Sequence, residues 1–170
     1  MMSPLNANAS AFERAIDLVL RLETGGDAGG GYSNDPRDAG GETRWGISKR
    51  AFPEEDILLL TRERAVDLYR KHYWAPLRPE ELPEPVAIVL FDIAVNQGLP
   101  TAVRLLQRAC GVTQDGVMGG NTLGAANRLK DIVPRLCAER AIRYASAAAF
   151  DTYARGWLRR AFTVALEASK

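Results

Sequence analysis

A single histidine, His72, and two cysteines, Cys110 and Cys137, leave the 170-residue chain few ligands for a transition metal. The cysteines lie far apart without metal-ligand spacing, so they do not suggest a zinc site. They could close one disulfide, but two small apolar residues on helices are more often buried thiols. G-x-S-x-G, Walker and dinucleotide-binding patterns are all missing, and Gly29-Gly30-Gly31 lacks the strand-to-helix setting that would make it one of these. No cofactor and no metal are expected. The longest apolar stretch, Val86 to Val95, is too short and too interrupted for a membrane span. The first residues also lack the charged start, apolar core and cleavage site of a signal peptide.

Of the residues that are present, Glu23 is the most informative. Ser10-x-x-Glu13 is a capping box that can start a helix at Ala11, and Phe12, Ala15, Ile16, Val19 and Leu22 then recur at helical spacing. Four residues past Val19 the same face lands on Glu23, so its carboxylate should point inward or into a cleft. Partial burial and the negative end of the helix macrodipole both disfavour charge there. Such a place suits a group that must deliver a proton.

Downstream, Asp27, Asp35, Asp38 and Glu42 crowd among seven glycines before Thr43-Arg44-Trp45-Gly46-Ile47. That density of glycine allows tight turns and close approach of another chain. Tyr32-Ser33-Asn34 and Glu42 to Ile47 are expected to pair as a small hairpin, with residues 35–38 turning between them. The run Glu23-Thr24-Gly25-Gly26, continued by Tyr32 to Ile47, resembles the E-G-G-Y-x-N-D-P-x-D-x-G-G-x-T-x-x-G-I signature of glycoside hydrolase family 108. A second run, Phe91 to Gly98, Leu106 to Val112 and Asp115 to Gly119, resembles the peptidoglycan-binding-like region of the same family.

The resemblance implies a lysozyme-like N-acetylmuramidase of the kind found in phage endolysins and bacterial secretion loci. Its reaction would be hydrolysis of the β-1,4 bond between N-acetylmuramic acid and N-acetylglucosamine. By motif position Glu23 would be the general acid, with Asp38 and Thr43 holding a water on the opposite face of the sugar. Thr24 and the Asp27 to Gly31 insertion lengthen the interval to the aspartate, which leaves Asp35 as the competing second carboxylate. With Asp38, inversion is expected, at a carboxyl separation of roughly 6.5 to 9.5 Å that admits a water. Tyr32, Asp35, Trp45, Trp74 and Asn96 are the candidate substrate-binding residues, the aromatic ones as subsite walls. A lytic transglycosylase would use a similar acid without the water, and a non-catalytic wall-binding protein could keep the same fold.

The partner implied is the peptidoglycan glycan strand, met by a monomer without nucleic acid or a membrane span. An enzyme made in the cytoplasm without a signal would reach the wall by holin-dependent or secretion-dependent release. Charge is divided along the chain. Residues 1–100 carry 16 acidic against 11 basic side chains, net −5, and residues 101–170 carry 5 against 11, net +6. A basic face favours an anionic polymer such as the bacterial wall. Most of its arginines, a group that runs from Arg104 and Arg108 through Arg128, Arg135, Arg140 and Arg143 to Arg155, Arg159 and Arg160, read as solvated helix faces.

The expected fold is mainly α: a lysozyme-like helical bundle around a central buried helix, with a small β-hairpin after the first helix. Thr61 should cap one helix, Pro85 open the central one and Gly98 close it. Pro100 should open the next and Gly111 stop it, with Asp131 and Asp151 capping two later ones. Within the central helix, Asp92 and Asn96 share a face and need partners. The resemblance implies that residues 1–98 form the catalytic lysozyme-like part and residues 99–170 the peptidoglycan-binding-like part. No low-complexity linker separates them, so one compact body is expected.

Overall fold

A computed structural model describes residues 10–35 and 40–170, and the features below are those of the described residues. Helix α1, Ala11–Thr24, begins on the expected capping box: the Ser10 hydroxyl accepts from the Glu13 amide at 3.3 Å, and the Glu13 carboxylate accepts from the Ser10 amide at 2.6 Å. It stops at Gly25, whose φ of 63° is left-handed and ends the helix.

Strands β1, Thr43–Arg44, and β2, Ile47–Ser48, then form an antiparallel hairpin in the register Thr43↔Ser48 and Arg44↔Ile47. The expected pairing of Tyr32–Asn34 with this region is present at one point, Ser33↔Thr43, through two hydrogen bonds of 2.9 and 2.8 Å. Beyond that point residues 43–48 fold back on themselves. Trp45 and Gly46 both take positive φ, 54° and 74°, the two-residue turn whose twist matches paired strands. Residues 36–39, with the turn expected there, lie outside the described chain.

Helix α2, Arg62–Tyr69, is capped by Thr61 and continues through a π turn, Arg70–Trp74, and 3-10 turns at Ala75–Leu77 and Pro79–Glu81. Helix α3, Glu84–Gln97, carries Pro85 in its first turn and ends at Gly98. Every residue from Val86 to Ala94 is buried, as its nearly all-round apolarity requires. Helix α4, Leu99–Cys110, has Pro100 in its first turn and stops at Gly111, φ 69°.

After α4, the loop is organised by Gln107, which is fully buried. Its Nε2 donates to Asp115 Oδ1 and the Val117 carbonyl, and its Oε1 accepts from the Gly116 amide. Helices α5, Gly120–Arg128, α6, Ile132–Ala145, and α7, Phe150–Ala168, complete the chain. Two expected caps differ. Asp131 stands before α6, but its carboxylate takes the Arg135 Nε at 2.8 Å and caps no amide. Asp151 lies inside the first turn of α7, which begins at Phe150.

Helix α3 packs on α1, α4, α6 and α7 and forms the axis of one hydrophobic core. Cross-helix bonds fix the directions. At one end Arg14 of α1 reaches Glu84 of α3 at 2.5 Å and the Glu167 carbonyl of α7 at 3.2 Å. At the other end Glu23 of α1 and Asp92 of α3 share Arg160 of α7. So α1 and α3 run parallel and α7 runs antiparallel to both. Cys110 and Cys137 are unbonded and half-buried, and burial raises both thiol pKa values. Among the described residues no helix is long and apolar enough to cross a membrane.

Candidate active site

Glu23 occupies the last turn of α1, where the apolar stripe that buries Phe12, Ile16 and Val19 carries it to the edge of the core. Its side chain is 24% exposed, open on one side and packed on the other. The packing comes from the hairpin turn. A Cβ built on Gly46 would lie 2.8 Å from Glu23 Cγ and would also clash with the Tyr69 hydroxyl, so only glycine lets the backbone pass between them. Tyr69 donates from that hydroxyl to the Trp45 carbonyl at 3.0 Å, tying the turn to α2.

Arg160 is the partner the sequence did not reveal. Its Nη2 donates to Glu23 Oε1 at 2.8 Å, and its Nε donates to Asp92 Oδ1 at 2.9 Å. Asp92 and Arg140 are both fully buried, with Asp92 Oδ2 2.7 Å from Arg140 Nη2. The angle there misses hydrogen-bond geometry, so this contact is an ion pair. Arg140 Nε donates to the Tyr144 hydroxyl at 2.9 Å, which in turn donates to Asn96 Oδ1 at 2.9 Å. One chain of polar contacts therefore runs from Glu23 through Arg160, Asp92, Arg140 and Tyr144 to Asn96. Arg140 and Arg160 thus fall outside the solvated majority of the basic half.

Burial alone would lower the pKa of Arg160, but Asp92 and Glu23 outweigh it and raise the value. The tyrosines of α2 and its π turn register the same charge. Tyr69 is held well above its usual range by burial first and Glu23 second, and Tyr73 is raised by the same two causes.

The other residues singled out from the sequence fall in different places. Thr43 opens β1, half-buried, and its hydroxyl donates to the Gly41 carbonyl at 3.3 Å. Tyr32 is 41% exposed and donates to Glu42 at 3.0 Å, which raises the pKa of its own hydroxyl. Asp35 is half-buried at the edge of the described chain, and Asp38 lies outside it. Trp45 anchors the hairpin to the body. Its ring lies against Gly30, where any Cβ would collide with it, and its Nε1 donates to the Leu60 carbonyl at 3.2 Å.

Trp74 is not a subsite wall. It is 5% exposed and meets the Phe12 and Phe91 rings edge-on at 5.4 Å each, so it offers no face to a sugar. Asn96 is exposed one turn along α3 from Asp92. The insertion after Glu23 is a closed turn: Asp27 accepts from the Gly29 and Gly31 amides at 3.0 and 2.9 Å, and these bonds lower its pKa. Among the described residues no cluster of His, Cys, Asp and Glu could hold a metal ion.

The model of the family described as Glycosyl hydrolase 108 matches residues 23–98, beginning at Glu23, and that of the Predicted Peptidoglycan domain matches residues 101–162. The solved structure titled "Structure of Brucella abortus SagA" is 32% identical, with a TM-score of 0.80 and 92% of each chain covered. The chain belongs to glycosyl hydrolase family 108. A search of curated proteins gave no match. As a family 108 member with a peptidoglycan domain, the protein is a peptidoglycan hydrolase of mainly α, lysozyme-like fold. Arg160, which holds Glu23, lies inside the segment matched by the peptidoglycan domain, so the candidate site draws on both matched regions.

Proposed function

We propose that the protein is an N-acetylmuramidase that cleaves the β-1,4 bond between N-acetylmuramic acid and N-acetylglucosamine. The observation that carries this reading is the Glu23 carboxylate. It is open to solvent on one side, fixed by Arg160 at 2.8 Å and backed by the Gly46 turn. A carboxyl group so placed can donate its proton to the glycosidic oxygen as the bond breaks. Asp38 stabilises the oxocarbenium-like transition state and, with the Thr43 hydroxyl, holds the attacking water on the opposite face of the sugar, giving inversion.

The test is digestion of purified peptidoglycan by the wild type, Glu23→Gln and Asp38→Asn, with product ends identified by mass spectrometry. The wild type should release reducing N-acetylmuramic acid ends. Glu23→Gln should lose at least about a hundredfold in rate while keeping its fold. If Glu23→Gln cleaves as fast as the wild type, the assignment of the acid is wrong. Anhydro ends would indicate a lytic transglycosylase, and binding without cleavage a wall-binding protein.

A further inference from the structure

The end of α1 leaves part of the bundle uncovered. Arg14 opposite Glu84, and Glu23 level with Asp92 through Arg160, set α1 and α3 in parallel register. In that register α1 stops at Thr24 while α3 runs on to Gln97, one turn past Asp92, and the first turns of α7 extend the same way. Asn96 is four residues beyond Asp92 on α3, and Trp157 is three residues before Arg160 on α7. Both therefore stand about one helical turn from the level of Glu23. There a cavity of about 400 Å³ is lined by Asn96, Gln97, Arg143, Tyr144 and Trp157 among others.

The lining carries a specific set of groups. Asn96 accepts from Tyr144 with its Oδ1, which leaves its amide N–H groups as donors. Gln97 accepts from Arg143 Nε at 2.9 Å, while its own Nε2 is buried without a hydrogen-bond partner, a donor short of an acceptor. Arg143 is exposed, and its bond to Gln97 orients a guanidinium toward the ledge. Trp157 is stacked on Tyr144 at 5.1 Å and supplies an apolar floor. Amide donors suit the carbonyl of an acetamido sugar, and an oriented arginine suits a carboxylate.

We propose that this ledge is an outer subsite of the cleft, holding an N-acetylmuramyl unit outside the pair of sugars whose bond is cleaved, with a carboxylate of its peptide stem on Arg143. The occupant follows from continuity: a polymer threaded past Glu23 meets the ledge next. Its charge complements the arginine. This assignment rests on the reading of Glu23 as the site of cleavage.

The test uses the full chain carrying Glu23→Gln, titrated with N-acetylmuramyl-L-alanyl-D-isoglutamine and, separately, with neutral chitotetraose, following the three tryptophan indole signals by NMR. The Trp157 signal, assigned through Trp157→Phe, should shift with the muramyl dipeptide. Adding Arg143→Gln should weaken that binding about tenfold, the scale of one charge-assisted hydrogen bond, and adding Arg128→Gln on α5 should not. In the otherwise wild-type enzyme, Arg143→Gln should raise KM without changing kcat on intact peptidoglycan. It should change neither on strands freed of their stems by an amidase.

An unmoved Trp157 signal, equal affinity with and without Arg143→Gln, or equal preference for chitotetraose would each overturn the subsite. Unimpaired cleavage by Glu23→Gln would instead overturn the acid and leave the binding result standing.

Discussion

Gly46 is the residue at which hairpin and acid meet, and its replacement tests how tight that meeting is. At φ 74°, with Glu23 Cγ only 2.8 Å from where a Cβ would stand, Gly46→Ala carries both backbone strain and a clash. It should cost about 1–3 kcal/mol in chemical denaturation and lower the rate of wall clearing, because relief requires Glu23 or Tyr69 to move. Wild-type stability and activity in Gly46→Ala would show that the turn does not fix the acid. Glu23 itself was legible because its position is a local fact, the next step on a stripe of apolar residues at helical spacing. Its partner was not, since no local rule pairs residues 137 positions apart. A signal did exist. Arg140 falls between Leu136 and Tyr144 at intervals of four on the buried stripe of α6, and Arg160 precedes the buried Val164 by four on α7. A charge on an apolar stripe needs a buried partner, and Asp92 on the all-apolar α3 had the same need.

Among the elements, α3 carries the network and so bears its energetic cost. Asp92→Asn leaves Arg140 fully buried without its countercharge and should destabilise by roughly 3–5 kcal/mol, whereas Asp17→Asn, which breaks an exposed pair with Arg62, should cost under about 1 kcal/mol. Equal effects in urea denaturation would mean that the buried ions contribute nothing beyond surface pairs.

Alkaline pH tests the tie between α2 and the hairpin. Tyr69 and Tyr73 have folded-state pKa values raised above the ordinary 10.0, so the unfolded chain loses these protons first. Stability should be intact below pH 10 and fall as the pH rises through the folded-state values. Tyr69→Phe should flatten that fall in a series of Tm measurements; an unchanged slope would remove Tyr69 as its source. Element ends with punctuation were readable: the Ser10 capping box, Thr61, the prolines in the first turns of α3 and α4, and Gly98 and Gly111. The small hairpin after α1 was readable, but the tight turn at its tip was not, because it depends on Trp45 adopting a left-handed conformation, which an aromatic residue takes only when tertiary contacts hold it. Trp74 was misread for a related reason. An aromatic after a helix looks the same in sequence whether it faces a cleft or, as here, Phe12 and Phe91.

For the whole molecule, the two matched regions share one core. Residues 23–98 contribute α3, and α4, α6 and α7 pack directly on it. Heating should therefore give one cooperative transition, with calorimetric and van't Hoff enthalpies in agreement. Two resolved transitions would mean that the regions fold apart. The mainly helical plan was readable from periodicity, but its wrapping was not, because the helices cross through side-chain fits that leave no short-range trace. That wrapping bears on how the protein is made. A ribosome delivers the chain from the N-terminus, so Glu23 of α1 emerges long before Arg160 of α7. Until α7 docks, the carboxylate has no guanidinium to hold it, and the growing chain carries an unassembled site. Assembly is thus timed by the order of synthesis, with α7 acting as the key that sets the acid in place.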